Sequence, residues 1–308
     1  MRACVFVTGA SGYVGGVVTE HLARLPEVER ITAVDRSRPS RSFSAKVCFR
    51  EMDIRSPSLS SLMAGHNVVV HAAAVVLWSR SMSEQTRDDI NLNGTRNVAL
   101  AALANRVERF LQTSSMAVYD PYLARGQSGV TEDFPMGKED RFFYYWSNKA
   151  AAERIVAEVF AESSTLVTCL RPIYIVGPHN RATVSGLRDN AINFLGHDPR
   201  RQFVHEDDVA SAFCQALRFE MPGAYNVVPD DFLRMSEVWR LVGVRSVRTV
   251  PAWLARSITA FRWRFLGSPV HPSWVQDILV DFTGSSAKLK STGWSPRYNS
   301  AEALRSAL

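Results

Sequence analysis

The sequence predicts an α/β fold, a doubly wound parallel sheet covered by helices on both faces, with a small C-terminal region added to it. Three observations carry that prediction. Short, nearly continuous apolar runs recur through the first half of the chain, longer amphipathic stretches separate them, and a glycine-rich turn joins the first run to the first such stretch. Runs so continuous in Val, Leu, Ile and Phe do not suit a sheet wet on one face; they suit parallel strands buried on both sides. Strands of this kind alternating with helices form a doubly wound sheet.

The elements follow in order. "ACVFVTG" (3–9), "RITAVD" (30–35), "VVVHAAA" (68–74), "RFLQTSS" (109–115) and "LVTCLRP" (166–172) read as strands. Helices are expected over 13–25, 89–104 and 147–162, the last with Ala151, Ile155, Val156 and Val159 as its apolar positions. "MDIRS" places Asp53 and Ile54 at a further strand end. After Pro172 the pattern turns irregular, with a helix over 207–217, a strand-like "AYNVV" and a Trp-rich tail. Asp207 and Asp208 open that helix, where carboxylates stabilise its N-terminal dipole. No repeat or clean linker interrupts the chain. The expected division is 1–172 with 204–228 as the sheet domain, and 173–203 with 229–308 as a smaller region built from insertions and the tail.

Composition narrows the function classes. At 308 residues, 46% hydrophobic and 21% charged, the chain can bury a large core as one large or two modest domains. The net charge of +6 permits anionic partners, but Lys and Arg are scattered, with short groups only at 36–41 and 262–264, so no nucleic-acid role is expected. Cys4, Cys48, Cys169 and Cys214 show no metal spacing and read as small core residues in a reducing compartment. His71 and His205 lack partners at ligand spacing, and no metal site is expected. The sequence opens on a strand without a basic leader, and no apolar run approaches the roughly 18 residues a membrane span needs. A cytoplasmic protein without stable membrane insertion is the default reading.

"VFVTGASGYVGG" sets Gly9, Gly12 and Gly15 between a strand and a helix. Glycines at these points allow a tight turn, close approach of a pyrophosphate to backbone N–H groups, and close helix–strand packing, while the helix N-terminus adds partial positive charge. Asp35 ends the next strand 20 residues beyond Gly15, where a carboxylate can accept hydrogen bonds from the adenosine ribose hydroxyls. The sheet is therefore expected to be a Rossmann-type dinucleotide-binding domain. Asp35 would repel a 2′-phosphate and favours NAD, while Arg36 and Arg38 leave NADP open. "HAAAV" offers small residues, Ala72, Ala73 and Ala74, where an adenine or ribose can lie close to the backbone.

The reactive groups lie further on. In "FFYYWSNKAA", Tyr145 and Lys149 fall about 40° apart on a helix and Tyr144 about 140° from the lysine, so only Tyr145 shares a site with it. A phenol with an ordinary pKa of about 10 is a poor base at neutral pH, but a neighbouring ammonium and an oxidised nicotinamide both favour the phenolate. Such a group can exchange a proton with an alcohol or ketone as a hydride moves. Ser114 and Ser115 in "LQTSSMAVYD" supply hydroxyls at a strand end to hold the substrate oxygen.

With these motifs in view, the chain resembles the extended short-chain dehydrogenase/reductases, the NAD-dependent epimerase/dehydratase family, over nearly its whole length. "TGASGYVG", "INLNGTRNV", "TSSMAVY", "YWSNK", "LRPIYIVGP" and "FVHEDDVA" resemble that family's TGxxGxxG, NVxGTxN, SSxxVY, YxxxK, RPxxxYGP and FVHVxDVA. "GAYNVV" and "GWSPRYNSAEAL" resemble its later strand and closing segment. The resemblance implies that Ser115, Tyr145 and Lys149 are catalytic, that Asn91 supports the cofactor, and that Pro172 and Ile173 line the nicotinamide. Tyr144 has no family role and reads as packing. The cofactor is thus expected against Gly9, Ser11, Gly12, Tyr13, Val14 and Gly15; against Asp35, Arg36, Asp53 and Ile54; and against Ala72, Ala73, Ala74, Asn91, Ser114, Tyr145, Lys149, Pro172 and Ile173.

Departures narrow the substrate. Met116 and Ala117 stand where sugar dehydratases carry an acidic pair, and Ile173 with Tyr174 occupy the region where nucleotide-sugar enzymes place an Asn. The stretch 177–203 is short for the family. In "VPAWLARSITAFRWRFLG", Trp253, Leu254, Ile258, Phe261 and Phe265 share one helical face with Arg256, Arg262 and Arg264 elsewhere. That face is read first as core-facing, with a membrane surface or the roof of an apolar pocket as alternatives. The resulting expectation is an NAD(P)-dependent oxidoreductase interconverting a secondary alcohol and a ketone on a fairly apolar small molecule, closest in resemblance to the 3β-hydroxysteroid dehydrogenase-like branch. Its rivals are a nucleotide-sugar epimerase using the same residues and a non-catalytic redox sensor. Helices around 89–104 and 147–162 resemble the family's dimer interface and imply a homodimer.

Overall fold

Residues 2–76, 82–140, 142–189, 191–268 and 271–308 are described by a computed structural model. Seven parallel strands form the central sheet: β1 (Ala3–Thr8), β2 (Val28–Asp35), β3 (Val47–Glu51), β4 (Val68–His71), β5 (Arg109–Thr113), β6 (Leu166–Pro172) and β7 (Gly223–Val227). Their order is β7-β6-β5-β4-β1-β2-β3. The order reverses between β1 and β4, and in such sheets the crevice beyond the strands' carboxyl ends at this point is where ligands bind.

Side-chain alternation explains why the strand sequences are apolar at successive positions. Val5, Val7, Val68 and Leu111 enter one core with Val18 and Leu22 of helix α1 (Tyr13–Ala23). Phe6, Val69 and Phe110 enter the other with Val98 of α2 (Gly94–Ala104) and Val156 of α3 (Tyr144–Val159). Phe6 and Phe110 are wholly buried, each gaining about 1.5–3 kcal/mol from leaving water. Helix α4 (Glu206–Arg218) packs against α1 on the first face.

Several boundaries differ from the sequence reading. Strand β4 stops at His71 and the expected 72–74 extension is loop. The expected helix over 89–104 is a π-helical turn, Asp89–Asn93, continuing into α2. Helix α3 begins at Tyr144 instead of 147 because the Asp140 carboxylate accepts the N–H groups of Phe142 (2.6 Å) and Phe143 (3.2 Å) just upstream. Asp208 stands in the first turn of α4 as expected, with further partners. It is wholly buried, burial pushes its carboxyl above the ordinary range, and it accepts the N–H groups of Arg297 (3.0 Å) and Tyr298 (3.2 Å), tying α4 to the closing segment. Of the four cysteines, Cys169 and Cys214 are buried, Cys4 is half-buried, and Cys48 is exposed on β3 against the expectation of a core residue.

Beyond β6 the chain builds three two-stranded ladders: Tyr174–Val176 with Phe203–His205, Arg200–Arg201 with Leu233–Arg234, and Ile192–Phe194 with Arg248–Val250. The last leads into helix α5 (Ala252–Phe265). Only Ala255 of α5 is buried, so the core-facing reading of this helix is overturned.

Candidate active site

The crevice is built first from what glycine permits. Gly9 follows β1 with φ +73°, and a Cβ there would stand 2.5 Å from the Ala73 nitrogen. The loop after β4 therefore lies directly against the glycine turn. Gly12 caps α1 without any side-chain hydrogen bond, leaving the first-turn N–H groups, which no helix satisfies internally, to an outside acceptor. Asp35, at the end of β2, accepts the Ser11 N–H at 3.1 Å and the Ser37 N–H at 3.3 Å, which fixes its carboxylate beside the turn. Arg36 is exposed, and Arg38 reaches Glu51 only at 3.8 Å. A cradle that a Cβ would fill, an uncapped helix N-terminus and a fixed carboxylate together fit a dinucleotide.

Other predicted cofactor residues contribute differently from their expectation. Tyr13 packs its ring against the first core, and burial with the nearby Glu206 carboxylate holds its phenol far above the ordinary range; its backbone N–H is what it can offer a phosphate. Ile54 packs into the second core against Gly94, where a Cβ would stand 2.5 Å from its Cδ1, so it too can present only backbone. Asp53 lies two residues beyond the end of β3 and is held by Arg55, which donates to its two oxygens at 3.0 and 2.6 Å and lowers its pKa. Asn91 sits in the π-turn, a distortion often found at functional sites. It accepts the Val75 N–H at 2.7 Å, and donates to the Val75 carbonyl at 3.0 Å and the Asn148 side chain at 2.9 Å. It thus clamps the 72–75 loop to α3.

Helix α3 carries Tyr145 and Lys149 in its first two turns. Lys149 donates from Nζ to the Thr113 carbonyl at 3.2 Å, at the end of β5 and two residues before Ser115. Burial pushes its ammonium down to about 8, opposed by the charge of Glu153. Ser115 caps the 3₁₀ turn Met116–Val118, its Oγ accepting the Ala117 N–H at 3.1 Å, and α3 packs on that turn. The Tyr145 ring is stacked on Trp274, with centroids 5.4 Å apart and planes 28° from parallel. Tyr144 points elsewhere, donating to Asp88 at 2.6 Å with the Arg87 guanidinium 3.0 Å over its ring, so its place is an ionic contact as well as packing. His71 bonds Thr8 (2.7 Å) and Thr95 (2.9 Å), and burial pushes it down to about 3, leaving it neutral. Pro172 and Ile173 are buried at the end of β6.

Ser114, expected at the substrate and cofactor, instead turns inward and donates to buried Glu153. Four residues escaped the sequence reading: Glu153, Asn148, Arg171 and Trp274. Glu153 also receives Arg171 at 3.0 Å (Nε) and 2.6 Å (Nη2); Arg171 then donates to the Tyr119 hydroxyl at 3.0 Å, and that hydroxyl to Asn226 at 2.6 Å. Glu153 stands one helical turn after Lys149, a spacing the sequence does display. Asn148 and Arg171 lie inside quoted motifs but carried no signal of their partners. Trp274 had none, being more than a hundred residues from Tyr145 in the chain.

Comparison with known proteins places this geometry. The model of the NAD dependent epimerase/dehydratase family matches residues 5–227. An uncharacterized protein of Mycobacterium tuberculosis is 28% identical over 253 residues, 78% of this chain and 65% of its own length. Short-chain dehydrogenase/reductase family 42E member 1 of Xenopus laevis is 30% identical over 68% of this chain and 57% of its own. The chain thus spans a little under two thirds of these relatives. Among solved structures, MoeE5 in complex with UDP-glucuronic acid and NAD superposes with TM-score 0.76 at 21% identity, covering 98% of this chain and 96% of that one. That likeness is one of fold.

Proposed function

The chain belongs to the NAD dependent epimerase/dehydratase family, and we propose on that footing that it is an NAD-dependent oxidoreductase interconverting a secondary alcohol and a ketone on a fairly apolar small molecule. The observation that carries the reading is the placing of Tyr145 one turn before half-buried Lys149, with an indole covering the phenol ring. NAD, when bound, supplies the acceptor or donor of a hydride. Gly9, Gly12 and the first turn of α1 would hold its pyrophosphate and Asp35 its adenosine ribose. Tyr145 takes the proton from the alcohol oxygen, or returns it to the ketone oxygen. Lys149 stabilises the phenolate and would hold the nicotinamide ribose, and Ser115 orients the substrate oxygen. Trp274 beside the phenol supplies an apolar wall, which favours a hydrocarbon-rich substrate over a sugar diphosphate.

Removing the acid/base tests this directly. Tyr145→Phe is expected to lower turnover by about 10²–10⁴-fold, the usual worth of such a group, and to leave NAD affinity within about threefold. Unchanged turnover would refute the assignment. Assay on a panel of apolar secondary alcohols and ketones, with UDP- and dTDP-sugars alongside, separates the rivals. A new sugar stereoisomer formed without added cofactor would establish the epimerase in place of this reading. Tight NAD(H) binding with no turnover on any compound would favour the redox sensor.

A further inference from the structure

Helix α5 presents to solvent the side chains a helix ordinarily buries. Trp253 is 70% exposed, Phe261 57%, Phe265 64%, and Leu266, which ends the helix, 67%. At about 100° per residue, Trp253, Ile258, Phe261 and Phe265 fall within one arc of about 140°. The opposite side is fixed by a small core in which Ala255 packs with Phe194 and Val275, so the arc is held outward. Leu195 is also exposed and lies at the helix base, its N–H donating to the Val250 carbonyl at 3.1 Å.

Charge of one sign borders this arc. Arg262 falls about 40° beyond one edge and Arg256 about 60° beyond the other, while Arg264 falls within the arc beside Trp253, and all three are exposed. Residues 245–276 include five arginines and no Asp or Glu. A second copy docking through this face about a twofold axis would bring these arginines against themselves. A polyanionic surface with an apolar interior would match both the arc and its margins. At 14 residues α5 is about 21 Å long, and among the described residues no helix is long and apolar enough to cross a membrane.

We propose that α5 docks on an anionic lipid surface, lying in the interface plane with Trp253, Phe261 and Phe265 among the acyl chains and the arginines at the headgroups. The docked face would adjoin the reactive phenol. The Arg256 guanidinium lies 5.1 Å over the Phe142 ring, three residues before Tyr145, and α5 packs on the helix Trp274–Leu279, whose first residue stacks on Tyr145. An apolar substrate dissolved in the bilayer would then meet the site at its mouth, a corollary that rests on the proposed function, whereas the docking itself does not.

The test is cosedimentation of the full chain with vesicles of phosphatidylcholine alone and of phosphatidylcholine with phosphatidylserine, at low and high salt. Binding is expected only to the vesicles containing phosphatidylserine, weakened by salt, and weaker by about fivefold for each of Arg256→Gln, Arg262→Gln and Arg264→Gln. Phe261→Ser combined with Phe265→Ser should lower it by about tenfold or more, and retained NAD binding in the same variant reports an intact fold. No binding of the unaltered chain to either vesicle, or full binding by the double serine variant, would overturn the proposal. A dimer of the unaltered chain that dissociates in that variant, without vesicle binding, would assign the face to a second copy instead.

Discussion

The sheet half and the C-terminal region solve opposite problems. In the sheet, consecutive strand residues are claimed by two cores, and buried charge is matched in place, as where Glu153 faces Arg171 at 2.6 Å with both side chains under a tenth exposed. In the C-terminal region the ladders have two strands each, and α5 buries one residue of its 14 while holding large apolar side chains in water. The first region closes its cores with help from the tail, whose Val280, Phe282, Leu289 and Trp294 enter one of them, whereas α5 leaves large apolar side chains exposed. The difference teaches where each kind of information resides. Under the proposed function the chemistry is built from contacts within the sheet and α3, and surfaces of the later chain govern what reaches it.

The largest effect is expected where buried charge is matched in place. Glu153→Gln would leave the Arg171 guanidinium buried without its counter-charge and weaken the acceptor of Ser114 Oγ, destabilising the fold by roughly 3–5 kcal/mol. Thermal or denaturant unfolding measures this. The same variant has a signature that loss of packing alone would not produce. Burial depresses the Lys149 ammonium to about 8 and the Glu153 charge opposes that depression, so removing the charge lowers the lysine pKa further. Lys149 then loses its proton, and Tyr145 its support, at lower pH. The alkaline limb of the kcat/KM profile should move from about 8 toward neutrality. A profile that stays put while stability falls would reduce Glu153 to a structural residue.

A smaller effect, confined to the cofactor end, is expected from Gly9→Ala. The residue would have to hold φ +73° with its Cβ 2.5 Å from a backbone nitrogen that cannot rotate away. The left-handed conformation alone costs about 1–2 kcal/mol, and the loop at Ala73 must shift as well. NAD affinity should fall by at least about tenfold, equivalent to 1.4 kcal/mol, while the C-terminal ladders, remote from the turn, keep their hydrogen-exchange protection. Calorimetric titration with NAD reads the first and exchange the second. Loss of protection throughout would mean that the turn and the ladders are coupled through the tail residues that enter the first core.

The same contrast explains what could be read from the chain beforehand. Strands β1, β2, β5 and β6 were legible because burial on both faces writes a continuous apolar run, and Gly9, Gly12, Asp35, Tyr145 and Lys149 because their spacing is fixed by one turn or one helix. Boundaries failed where a side chain outside the element set them, as with Asp140 ahead of α3. The inward turn of Ser114 was illegible, because adjacent serines look alike until Glu153 supplies a partner. Helix α5 was misread for a related reason: periodicity reveals an apolar face but not whether anything within the chain covers it. Trp274 is the extreme case, since its contact with Tyr145 arises only from the path of the tail.

The smallest predicted effect bears on the line between the two regions. Trp274 belongs to the later chain yet stacks on the phenol that belongs to the sheet domain. Aromatic pairs of this kind are worth about 0.5–1.5 kcal/mol beyond their area. If the indole walls the substrate pocket, Trp274→Ala should raise KM for an apolar ketone by about 2–10-fold, leave kcat within about threefold and leave NAD affinity unchanged, because nothing in the glycine cradle is touched. Trp274→Phe should restore most of the loss. If instead the indole serves only to orient Tyr145, kcat would fall with KM unmoved, and the specificity-setting role would pass from the tail back to the sheet domain. The split between the two constants thus decides how far the later region reaches into the chemistry.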